Sequence, residues 1–182
     1  MLELVVVVGL VVLTSSACSL FEAVLYSLPL AEIDALENAG RPSGPILRRL
    51  RSHVDRPIAA ILSLNTVANT GGAALAGAIA GRVLGSVSIG YFSAAFTLAI
   101  LLFSEIIPKT AGVMYARRLA GPVARPIEIL VVLFAPVIWL SQGVTRLIAS
   151  GHRAERVADE DLLLMVRRGL QSGDLKPHEA DV

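Results

Sequence analysis

Cysteine is nearly missing. Only Cys18 carries a thiol among 182 residues, which excludes a framework of internal disulfides. Histidine is almost as scarce: the three residues, His53, His152 and His178, all lie in polar stretches. No cluster of histidine and cysteine favours zinc or copper. There is no paired aspartate, no serine–histidine arrangement within an apolar segment and no metal-binding histidine motif, so the chain does not read as an enzyme. Charge is low as well. Charged residues make up 17% and hydrophobic ones 54%, whereas a soluble domain carries about 25% charge. A net charge of +1 supplies no nucleic-acid surface, because the arginines fall between apolar segments, where topology explains them. Long repeats and low-complexity tracts are absent too.

What the chain has instead is a series of long apolar runs and a mean hydropathy of +0.69. The first run is Leu2 to Leu28, closed by Pro29. It lacks the basic start of a signal peptide and carries Glu3 there. Ser15 stands where a lipoprotein cleavage site ahead of Cys18 needs an aliphatic residue, so the run is read as a retained helix. A polar stretch, 29–57, follows with Arg41, Arg48, Arg49, Arg51, His53 and Arg56. The spacing of Leu30, Ile33 and Leu36 predicts a short amphipathic helix on the membrane surface. Gly40 to Gly44 breaks it, and a second short helix is expected over 45–54. The second run goes from Pro57 to about Leu84, and the third from Tyr91 to about Ala116, with Pro108 inside it. The fourth is Pro126 to Ile148, with Pro136 in its middle. The tail, 149–182, is polar, with a helix expected over 158–171.

Each run is long enough to cross a bilayer. Arginine placement puts the 29–57 loop in the cytoplasm and the N-terminus outside. Arg117, Arg118 and Arg125 then fall inside. If the fourth run crossed, the arginines of the tail would lie outside. Bending at Pro136 keeps all three basic regions on one side. The expectation is an all-α membrane protein of three transmembrane helices, with short juxtamembrane helices and a non-crossing fourth segment.

Three runs carry oxygen-bearing side chains that a lipid-facing helix avoids. Ser15, Ser19, Glu22 and Tyr26 recur at helical spacing on the first. Ser63, Asn65, Thr66, Asn69 and Thr70 crowd the second, and Ser104 and Glu105 precede Pro108 and Lys109 on the third. An acid within a bilayer is costly and calls for a partner. Pro108 removes the helical donor of the Ser104 carbonyl. Hydroxyls, amide oxygens and one or two carboxylates suit magnesium or sodium. Other readings stand beside this one. The serines and threonines can bond their own backbone, and the asparagines can tie helices together. Glu22 can pair with an arginine of the following loop, and Glu105 with Lys109. The row Asn69, Ala73, Gly77, Gly81 and Gly85 is a small-residue stripe open to close helix approach, within one chain or between two.

Together these residues resemble the CNNM/CorC family of magnesium transporters, through the membrane domain called DUF21. The family motif on the first helix, Phe-Ser-x-Ser-Glu-Thr-Ala, has its counterpart in residues 18–24, where Ser19 and Glu22 match. Phe21 replaces the second serine and Ala23 the threonine. Asn65 and Asn69 match the asparagine pair of the second helix. Ser104 to Lys109 matches the Gly-Glu-x-x-Pro-Lys end of the third, with Ser104 in place of glycine.

The resemblance implies a plasma-membrane homodimer with residues 1–150 as its membrane domain. It implies magnesium, and also sodium, as bound ions, with sodium-coupled export by alternating access. The magnesium ligands it implies are Ser19, Asn69 and Glu105, with Asn65 and Ser104 as further candidates and Glu22, Pro108, Lys109, Gly77 and Gly81 in structural or coupling roles. If Phe21 faces the ion cavity, coupling or affinity departs from the family norm. The family continues into paired nucleotide-binding CBS modules. Residues 151–182 look like the cytoplasmic helical connector before them, and nucleotide is not expected in this chain. The same residues would also serve a membrane magnesium sensor or scaffold that binds the ion without moving it.

Overall fold

The first apolar run is helical along its whole length. In the computed structural model, which describes residues 1–85 and 88–149 and side chains as far as 143, it forms α1, Leu2–Ser27. Two short helices follow, α2 (Leu30–Asn38) and α3 (Ser43–Ser52). The second run is α4 (Asp55–Thr66), a π-helical turn (Val67–Gly71) and α5 (Gly72–Leu84). The third is α6 (Ile89–Ala99), a second π-helical segment (Ile100–Ile106) and α7 (Ile107–Met114). Then come α8 (Ala116–Leu133) and α9 (Ala135–Ala149). There is no strand among the described residues.

The chain divides into two compact units, Met1–Trp139 and Leu140–Val182. The helix expected over 158–171 lies outside the described residues.

Three continuous helical stretches are long and apolar enough to cross a membrane: Leu2–Ser27, Asp55–Leu84 and Ile89–Met114. The most apolar 18 residues of each have mean hydropathies of 2.4, 1.3 and 1.7. The second is lowest because it carries the serine, threonine and asparagine cluster. The expected architecture of three spanning helices is therefore found. At 1.5 Å per residue, 26 residues reach about 39 Å, enough for a hydrocarbon layer about 30 Å thick.

The fourth run departs from expectation. Its helix begins at Ala116 rather than Pro126 and runs through Pro122 and Pro126. Ala116, Ala120, Val123, Ala124 and Ile127 form one buried face, and that packing holds the helix across two missing backbone donors. The bend expected at Pro136 falls at Phe134, where α8 and α9 turn by 64°. Pro136 sits instead in the first turn of α9, where a missing N–H costs nothing. By length and composition the bent pair fits either a broken span or a re-entrant loop.

Two apolar cores lie at opposite ends of α1. Toward its start, Leu4 and Val11 pack with Ala76, Ile79, Ala80 and Phe96. Toward its end, Cys18, Val24 and Leu25 pack with Leu50, Ile61, Val123 and Ile127. A smaller cluster of Leu28, Ile33, Leu47, Ala120 and Ala124 seats α2 and α3 against α8. As its spacing predicts, α2 buries Ile33, although Leu30 stays exposed. It ends in a Schellman turn: Gly40 has φ +66°, its N–H reaches Glu37 O, and Arg41 N–H reaches Leu36 O.

The basic loop becomes a belt of ion pairs. Arg48 binds both Asp34 and Glu37, the latter at 2.6 Å through Nε. Those hydrogen bonds, Glu37 first, hold its guanidinium charged to well above the usual arginine range. Arg49 Nη2 lies 2.5 Å from Glu128 Oε1, and Arg117 Nε 3.8 Å from Glu32 Oε2. Arg51 Nη1 donates to Leu25 O at 3.0 Å, which satisfies a carbonyl in the last turn of α1.

Candidate ion-binding site

Between the two cores α1 turns polar. Ser15 and Ser19 are buried there, one turn apart. Ser15 is also the midpoint of the helix, so this polar belt lies near mid-depth of the first span.

Two contacts from each of the other two spans fix their register on it. Ser15 Oγ donates to Asn65 Oδ1 at 2.7 Å, and Gly72 lies against Val11 so closely that a Cβ there would sit 2.2 Å from Val11 Cγ2. Rising numbers on the second span thus meet falling numbers on α1: the two are antiparallel. On the third span, Ser104 Oγ donates to Val12 O at 3.2 Å, and Lys109 Nζ lies 3.2 Å from Glu22 Oε2. That span runs parallel to α1. Asn65, Asn69 and Ser104 therefore share the level of α1 residues 11–15, and Glu105 follows Ser104 directly.

Part of each polar segment sits on π-helical backbone. Asn69 lies in Val67–Gly71, and Ser104 and Glu105 in Ile100–Ile106. Such turns disrupt the regular hydrogen-bond ladder and cluster at functional sites. Periodicity and propensity gave no sign of them. The second one alters which carbonyl Pro108 loosens. Ile107 N–H reaches back five residues to Leu102 O, so it is not given to Phe103. The next donor in the π register is position 108, which has none. Phe103 thus loses both helical donors, whereas Ser104, the carbonyl expected to be free, loses only its α-register one.

The nominated side chains have distinct fates. Ser104 is fully buried and ties the third span to the first. Asn65 accepts from Ser15 at 2.7 Å and from Asn69 Nδ2 at 3.3 Å. Two buried side-chain oxygens among the described residues have no hydrogen-bond partner: Ser19 Oγ and Asn69 Oδ1. Glu105 is half-buried, and among the described residues no ion pair or hydrogen bond engages it. The alternative pairing of Glu105 with Lys109 is not formed, because Lys109 turns to Glu22. The expected partner of Glu22, a loop arginine, is replaced by the same lysine.

Ser63 and Thr110 each bond the carbonyl four residues back, at 2.7 and 2.8 Å. Tyr26, placed on the polar stripe by spacing, is 54% exposed. Phe21 projects from the far side of α1, lining an apolar groove with Cys18, Leu64, Pro126, Ile129 and Leu130. The lost hydroxyl at that position is therefore remote from Ser15 and Ser19. On α5 the close approach to α1 uses Gly72, not the expected row. A side chain at Gly77 would meet nothing within 4 Å, and one at Gly81 only Ile89. Pro108 is buried at the start of α7. No group of three His, Cys, Asp or Glu occurs among the described residues. The nominated donors are neutral oxygens and one carboxylate, a composition that suits a hard, partly hydrated cation.

The cyclin M transmembrane N-terminal domain model matches residues 5–179. The chain belongs to that family. A UPF0053 protein of Synechocystis is 35% identical over 179 residues, 98% of this chain and 52% of the relative. A chloroplastic DUF21 domain-containing protein of Arabidopsis thaliana is 33% identical over 146 residues, 78% of this chain and 22% of its own length. The UPF0053 inner membrane protein YfjD of Escherichia coli is 28% identical over 109 residues, 60% of this chain and 26% of the relative. The cyclin M domain thus spans about half, or less, of these relatives.

Proposed function

We propose that this domain carries magnesium across the membrane, with Ser19 Oγ, Asn69 Oδ1 and the Glu105 carboxylate as ligands near mid-depth. One observation supports the reading above all. The two buried side-chain oxygens left without partners among the described residues, on Ser19 and Asn69, are two of the three ligands that the motif pattern nominates. Unpaired buried polar atoms are rare in folded proteins and call for an explanation such as a bound ion. A divalent ion that keeps several waters would use these oxygens and the Glu105 charge together.

The finer reading is sodium-coupled export by alternating access, from a homodimer in the plasma membrane. Its N-terminus is outside, and the Arg48 belt and the tail are cytoplasmic, as the arginine distribution favours. No chemical conversion is assigned to the domain. Magnesium flux into or out of proteoliposomes containing the purified chain tests this. Wild-type protein is expected to carry the ion and Glu105→Gln to lose it. Equal flux in the two would refute the mechanism. Magnesium binding with no flux under any magnesium or sodium gradient would identify a sensor or scaffold.

A further inference from the structure

Asn65 and Ser15 stand one contact away from the nominated ligands, and their hydrogen bonds assign them a different task. A carbonyl oxygen has two acceptor sites. Asn65 Oδ1 already accepts from Ser15 Oγ at 2.7 Å and from Asn69 Nδ2 at 3.3 Å. Asn65 Oδ1 therefore has no lone pair left for a cation. Its bond to Asn69 holds the amide nitrogen of that residue, and this decides which end of the Asn69 amide stays free. The free end is Oδ1, buried and unpartnered. With the amide reversed, Asn69 would offer N–H groups that repel a cation.

We propose that Ser15 and Asn65 are positioning residues: a hydrogen-bond chain from α1 to the second span that orients the Asn69 carbonyl oxygen for a hard cation. Asn65 is thereby removed from the ligand set. Ser15, which no motif marks, is added as the fixed end of the chain, because it is fully buried at the midpoint of α1. The backbone makes such a restraint necessary. Asn69 sits on the π turn Val67–Gly71, with Gly71 and Gly72 directly after it. Its amide would otherwise be held only by a stretch of irregular helix.

This inference rests on the proposed ion site, and the test separates the two. Magnesium binding is titrated calorimetrically on the purified full chain, with the thermal melt of each magnesium-free protein recorded alongside. The set is wild type, Glu105→Gln, Ser15→Ala, Ser15→Thr, Asn65→Ala and the Ser15→Ala/Asn65→Ala double variant. Asn65→Ser replaces Asn65→Ala if the alanine protein does not fold. Residues that orient a metal ligand typically contribute about 10–100-fold to affinity, so Ser15→Ala is expected to weaken binding about tenfold. Ser15→Thr, which keeps the hydroxyl, should restore it. In the Asn65 background, Ser15→Ala should change affinity no further, because Ser15 acts only through Asn65. Multiplying effects of the two changes, or wild-type affinity in Ser15→Ala, would overturn the proposal. Wild-type affinity in Glu105→Gln would overturn the ion site itself and the positioning role with it.

Discussion

Gly112 lies where α7 crosses α1, and adding one methyl group there tests the packing that sets the register of the third span. A Cβ at Gly112 would lie 2.7 Å from Ala23 Cβ and 3.0 Å from Leu20 O. Carbon atoms in ordinary contact stand about 3.5–4.0 Å apart, so α7 must withdraw by about 1 Å. Overpacking of this kind costs about 1–3 kcal/mol. For a chain of this size each kcal/mol lowers the melting temperature by about 2–4 °C. Gly112→Ala should therefore melt about 2–12 °C below wild type in detergent.

The same withdrawal draws Ser104 away from Val12 and Lys109 from Glu22, so magnesium affinity should fall in parallel. Ala23→Gly removes the nearer obstruction while leaving Leu20 O. Alone it costs about 1 kcal/mol as a helical glycine. Combined with Gly112→Ala it should recover part of the loss, giving a coupling of at least about 0.5 kcal/mol in a double-mutant cycle. A Gly112→Ala protein that melts with the wild type, or strictly additive effects, would refute the reasoning.

Two further outcomes concern charge. Lys109→Ala leaves the Glu22 carboxylate, 23% exposed and inside the first span, without its partner. An unpaired acid within a bilayer is costly, so the variant should melt below wild type in detergent, and adding Glu22→Gln should recover part of the loss; a Lys109→Ala protein that melts with the wild type would count against this. Arg48→Ala should release α2 from α3, seen as faster amide exchange across Leu30–Asn38. Because pairing raises the Arg48 pKa, its contribution is fully present below the ordinary arginine range and is lost only as pH climbs beyond it. Titrating from about pH 6 to 9 should therefore leave α2 exchange protection unchanged on account of Arg48.

The three spans were legible in the sequence because an apolar run of sufficient length has few alternatives in a helical membrane protein. The loop helices were legible from Ile33 and from the Gly40 break. Ser19, Asn69 and Glu105 were legible as oxygen donors out of place in lipid. The π-helical segments were not, because a single extra residue in a turn leaves composition and apolar spacing nearly unchanged. Pairings were missed wherever a nearer partner existed in sequence. Lys109 is four residues from Glu105, yet it reaches Glu22 because helix packing brings that carboxylate within 3.2 Å. The start of α8 was misplaced because the apolar run begins only at Pro126, after Arg117, Arg118 and Arg125, and only the buried face of Ala120, Val123, Ala124 and Ile127 carries the helix back across them.

The arginine belt has a consequence for how the molecule meets a bilayer. Charge that decides which way a nascent chain threads acts before tertiary contacts exist. Once folded, Arg48, Arg49 and Arg117 each face a carboxylate of their own chain, and Arg51 is turned onto a backbone carbonyl. The finished surface should therefore attract acidic phospholipid headgroups less than a count of its basic residues implies.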